Sequence, residues 1–163
     1  MITKKRVLIG GVLIVVILAG AWGYYSSTHP QPPVGAFPAQ VGRYRLTSGP
    51  TNSRSKVDSA TVHQALYEVD HQLIFVSIDV YPSEAEARTG ENYIVFAMGK
   101  TSSMRAVGQA EPRNPRGGQP AGTKVVLSAG GSSQLQVLRI GSWVISLIGD
   151  AKAADEFEKA LPY

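Results

Sequence analysis

Few residues in this chain have the types and spacing that chemistry needs. The histidines are His29, His63 and His71, and none has a histidine at i+4 or a Cys/His cluster beside it, the spacing a metal site demands. His63, Glu68, Asp70 and His71 would converge only if one hairpin folded them together, and its expected register keeps His63 far from the turn. Serines are plentiful, yet there is no G-x-S-x-G elbow. "AGGSSQ" lacks the G-x-x-x-x-G-K-[ST] spacing of a phosphate cradle and reads as a hairpin turn. Glu84 with Glu86, and Asp155 with Glu156, fall on helices, where first-turn acids complement the helix dipole and need no acid–base role.

Two features keep a binding role open. Asp79 interrupts an apolar strand beside Tyr81, as either a ligand or partner contact or an acid facing water at the strand end. A binding module would place its pocket near Asp79, Tyr81 and Trp143. Arg105, Arg113 and Arg116, around "PRNPRGG", form the concentrated basic patch of the C-terminal part. They suit anionic headgroups or an acidic partner, or a loop that arginine keeps soluble.

Composition narrows the classes further. There is no cysteine, which excludes a disulfide framework, a lipid-anchoring cysteine, thiolate-held iron–sulfur clusters and C-x-x-C-H haem attachment. No cofactor is implied. The formal charge of +4 owes three units to Lys4, Lys5 and Arg6; from Ser26 onward thirteen Lys and Arg face twelve Asp and Glu. A nucleic-acid binder needs a basic face that this nearly neutral part lacks.

The elements that must position these residues start with an apolar segment. Val7 to Tyr25 is 19 residues without a charge, about 28 Å as a helix against about 30 Å of bilayer hydrocarbon. A cleaved export signal would use Ala19-Gly20-Ala21; a retained signal anchor is favoured by the full length and by Trp22, Tyr24 and Tyr25 at the interface. Residues 1–6 then form a cytoplasmic basic flank and the rest lies outside the inner membrane. Val12, Val16, Ala19, Gly20 and Gly23 share one helix face, a small-residue stripe suited to another membrane subunit or a second copy. Residues 26–36, rich in proline, read as an extended tether.

Residues 37–163 are expected to form one extracytoplasmic α+β domain. "VGRYRLT" starts it as a strand, and "SGPTNSRSK" is loop chemistry. Ala60 to Tyr81 is a hairpin turning at Asp70-His71. Its register pairs Val69 with Gln72, Tyr67 with Ile74, Ala65 with Val76 and His63 with Ile78. Ile74, Val76, Ile78 and Val80 form the core face, while Leu66, Phe75, Ser77 and Asp79 form a half-solvated one. Ser83 and Glu86 make a capping box for a helix to about Met98, with Ala87, Ile94, Ala97 and Met98 inward and Gly90 a weak point.

"MRAVG" is a short edge strand, followed by a long loop over "QAEPRNPRGGQPAGT". Strands follow at Thr123–Ser128, Gln134–Ile140 and Trp143–Ile148. Asp150 caps a last helix with Ala154, Phe157 and Leu161 on one face. The expected fold is a small antiparallel sheet with two helices on one face. The likeness of "IFVSIDVYPSEAEA" to "WVISLIGDAKAADEF" points to a degenerate duplication of a ββα-type unit.

With no catalytic constellation, the sequence points to a non-catalytic single-pass accessory subunit or assembly factor of an inner-membrane complex, such as an electron-transport or photosynthetic one. The alternative is a membrane-anchored ligand-binding or cell-envelope sensor module.

Overall fold

In a computed structural model of the chain, Asp70 and His71 both take left-handed backbone, with φ of 47° and 64°. Two successive positive-φ residues are the tightest way to reverse a twisted antiparallel pair, and Asp tolerates that region better than most. The hairpin they close joins β3 (Thr61–Val69) to β4 (Gln72–Val80). Its register is the one its alternation predicts: Val69 faces Gln72, Tyr67 faces Ile74, Ala65 faces Val76 and His63 faces Ile78.

The described residues are 37–55, 58–101, 105–106, 111–113, 122–128 and 131–162. The expected anchor helix, its expected stripe of Val12, Val16, Ala19, Gly20 and Gly23, the expected tether 26–36 and Arg116 lie outside them. Among the described residues no helix is long and apolar enough to cross a membrane.

The remaining elements are β1 (Gln40–Val41), β2 (Tyr44–Arg54), α1 (Glu84–Thr101), β5 (Arg105–Ala106), β6 (Glu111–Arg113), β7 (Gly122–Ser128), β8 (Ser133–Ile140), β9 (Trp143–Asp150) and α2 (Ala151–Ala160). They form a mixed α+β domain. Its sheet has the order β1-β2-β3-β4-β9-β8-β7-β5, with β6 also on β7, and every pairing is antiparallel.

Three expectations need correction. The loop over "SGPTNSRSK" is in large part strand: β2 runs 11 residues to Arg54, with register shifts between Leu46 and Ser48 and between Ser48 and Thr51. An edge strand tolerates bulges and a proline because its outer backbone groups have no partner to lose. At the bulge Gly49 has φ +98°, and a Cβ there would sit 2.6 Å from the Gln64 carbonyl oxygen. Second, part of the expected long loop pairs with the sheet, since β6 lies on β7 with Pro112 opposite Thr123.

The third correction concerns the helices, which pack on opposite faces of the sheet and not on one. Ala153, Ala154 and Phe157 of α2, with Leu161 just past its end, share a cluster with Tyr67, Ile74, Val76, Ile78, Leu138, Ile140, Ile145 and Leu147. Ala87 of α1, with Ile94, Val95 and Met98, packs against the alternate residues Leu127, Leu135, Val137 and Val144. The cause lies at the end of β4. Val80 points to the α2 face, so the next residue, Tyr81, points to the other and carries Pro82 and Ser83 across. β9 instead runs straight into α2 through Asp150, whose carboxylate accepts the Lys152 and Ala153 amides.

Each half does run as three antiparallel strands and a helix, with β4 and β9 paired at the centre. A two-fold relating adjacent antiparallel strands stands perpendicular to their sheet and would keep both helices on one face, so the halves are not simple copies.

The opposite placement has a structural consequence. β8 and most of β9 are covered on both sides, and seven of the eight β8 residues are buried. On the α2 side, Phe157 is fully buried, with Tyr67 and Tyr44 edge-on at 4.9 and 5.4 Å. The tyrosine hydroxyls donate to the carbonyls of Pro38 and Ala153. On the α1 side, coverage reaches only the β7–β9 half.

Candidate functional site

Tyr81 is the residue from which a site can be built. It is 2 % exposed, and its hydroxyl donates to Asp58 Oδ2 at 2.9 Å. Its ring crosses α1 at Gly90, where a Cβ would lie 2.0 Å from the phenol oxygen. Gly90 is therefore what lets Tyr81 approach the helix, and its cost in helix propensity is offset by that packing.

Asp58 is held in turn. Its Oδ1 accepts the Ala60 amide at 3.1 Å, and its own amide donates to Ser55 Oγ at 3.3 Å. Next to it, Ser59 Oγ donates to Glu86 Oε2 at 2.7 Å, tying the 58–60 segment to the first turn of α1. The Ser83 hydroxyl accepts the Glu86 amide at 3.2 Å, the capping half of the expected box. Between these elements lies an open cleft of about 250 Å³ walled by Asp58, Ser59, Tyr81, Glu86, Thr89, Gly90 and Tyr93. Tyr93 is 51 % exposed.

The electrostatics of this corner are negative. Burial pushes the Tyr81 phenol well above its ordinary value of 10.0; the Asp58 bond and the Asp58 and Asp79 charges push it further. Burial also raises the Asp79 carboxyl above 3.8, with the Asp58 charge adding to it and the Ser77 hydroxyl, donating at 2.8 Å, opposing it. Asp79 is half-buried and does not wall the cleft.

The other candidate residues are dispersed. Trp143 pairs with Val80 next to Tyr81, but its side chain packs against the α2-side cluster, on the sheet face opposite Tyr81. Arg105 and Arg113 fall on β5 and β6, which both pair with β7 at the far edge of the sheet. His63 is buried beside Asn52, 2.7 Å from ring Nδ1 to Oδ1, and burial lowers its pKa. His71 is at the exposed turn. Among the described residues no three His, Asp or Glu side chains could hold a metal ion.

A second surface lies where α1 stops covering its face. Leu66 faces Phe75 across β3–β4, and Phe75 faces Ile148 across β4–β9, with Leu73 two residues from Phe75 on the same side. Leu73 is 50 % exposed, Ile148 36 %, and the other two are half-buried. Beside this apolar row a groove of about 230 Å³ runs over Gly49, Thr51 and Gln64.

Both surfaces depend on how α1 is fixed, and that rests on an ion pair not anticipated from sequence. Arg139 of β8 donates to Glu91 at 2.9 Å and Glu84 at 3.0 Å, with Arg139 and Glu91 both buried and the Thr123 hydroxyl also bonded to Glu91. The signal available in sequence was a lone arginine in an apolar strand and a glutamate seven residues after Glu84, two turns along the same helix face. Asp58, Ser59 and Tyr93 carried no such signal. No family model matches this chain, and neither does any curated protein or solved structure.

Proposed function

We propose that the chain is a non-catalytic, membrane-anchored interaction module: an accessory or scaffold subunit, or an assembly factor, of an inner-membrane protein complex, with its α+β domain on the extracytoplasmic side. The observation that carries this reading is the apolar row of Leu66, Leu73, Phe75 and Ile148 on the sheet face that α1 leaves bare. A contiguous apolar stripe exposed to water raises free energy, and a partner surface lowers it by roughly 25 cal/mol per Å² covered. The uncharged segment Val7–Tyr25 supports the anchor, and its face of Val12, Val16, Ala19, Gly20 and Gly23 supports a second contact within the bilayer. The test is Phe75→Lys and Leu73→Lys in the full chain. Both should keep the far-UV spectrum and melting behaviour while releasing the protein from its membrane assembly in mild detergent.

The cleft beside Tyr81 favours a second reading, a membrane-anchored ligand-binding or sensor module. The domain would then report a small molecule from outside the membrane.

A further inference from the structure

We propose that the Tyr81 cleft binds the cationic head of a small organic ammonium or guanidinium compound. This rests on the ligand-binding reading above and is independent of the apolar row. Three properties of the cleft select that chemistry.

The first is unspent acceptor capacity. A carboxylate offers about four lone-pair sites. Asp58 receives two donors, the Ala60 amide and the Tyr81 hydroxyl, and Glu86 receives the Ser59 hydroxyl. Among the described residues neither is in an ion pair. The second is aromatic surface. Buried Tyr81 and half-exposed Tyr93 both line the cleft beside the carboxylates, which offers a cation aromatic surface as well as charge. The third is sign and size. The Asp58, Glu86 and Asp79 carboxylates at this corner disfavour anions. A volume of about 250 Å³ is below the usual range for whole drug-sized ligands, and suits a head group whose tail lies outside.

The geometry is also ready-made. Asp58 is fixed by Tyr81, Ala60 and Ser55, and Glu86 by the helix and Ser59, so little ordering is needed on binding. A bare divalent ion is a poorer match, because the oxygen ligands it needs are not grouped here.

The test uses the full chain in a maltoside detergent, whose neutral head does not compete. Calorimetric titration with n-butylammonium and n-butylguanidinium should give saturable one-to-one binding, with n-butanol and butyrate inert. Asp58→Asn and Glu86→Gln should each weaken affinity about tenfold. Tyr93→Ala should weaken it similarly, and Tyr93→Phe, which keeps the ring, should restore it. Because Tyr93 is exposed, that pair reads the site even where the carboxylate variants disturb folding. No saturable binding by either cation, equal binding of n-butanol, or affinity unchanged in both Tyr93→Ala and Glu86→Gln would overturn the proposal. Phe75→Lys should bind the cations as wild type does, so cation binding and complex assembly fail separately.

Discussion

Single residues at the Tyr81 corner are tightly coupled. Replacing Gly90 by alanine puts a methyl group 2.0 Å from the Tyr81 oxygen, so we expect a loss of about 1–3 kcal/mol despite the better helix propensity. Chemical denaturation reads it directly. Asp79 gives a pH signature. Its native pKa is raised above 3.8, so the native state holds this proton to higher pH than the unfolded chain does. Stability is therefore lost as pH rises through that range, and Asp79→Asn should stabilise at pH 7, with the gain fading in acid. His63 has the opposite sense. With its native pKa lowered, the unfolded chain protonates first, so stability falls as pH drops below 6.5, and thermal melts of His63→Gln should lose that component. At this scale the sequence revealed Asp79 and Tyr81 as unusual but not their neighbours. Asp58 reaches Tyr81 from 23 positions away across a loop, a contact with no local periodicity to announce it.

At the scale of elements, α1 is the part most exposed to a single change. Removing one partner of the Arg139–Glu91 pair leaves the other charge buried, which typically costs 3–5 kcal/mol. We expect Glu91→Gln to destabilise by about 2–4 kcal/mol, and Glu91→Leu with Arg139→Leu to cost less than either single leucine change, as urea titrations of the set would show. On the opposite face, Phe157→Ala should cost about 3–5 kcal/mol, because both tyrosine edges lose their partner. Elements were the most legible level. The β3–β4 register followed from alternation and a two-residue turn, and the Ser83 and Asp150 caps stand where their side chains predicted. What stayed hidden was non-local: β6 gains strand character only from β7, and the side on which α1 lands turns on the parity of Tyr81 after Val80.

For the whole molecule, the uneven coverage of the sheet is the feature on which the proposed function rests. One half is a helix–sheet–helix sandwich; the other half bears α2 on one face and leaves Leu66, Leu73, Phe75 and Ile148 to solvent on the other. The sequence shows these residues only as part of a mixed strand face, because exposure there depends on where a distant helix stops. The most direct test of the interaction reading is native sizing of the full chain extracted from its membrane in mild non-ionic detergent, beside the Phe75→Lys variant. The wild-type chain should migrate in a large assembly, and the variant should fall to the size of a detergent-bound single chain. A single-chain species for the wild type, or an assembly that the variant leaves intact, would contradict that reading.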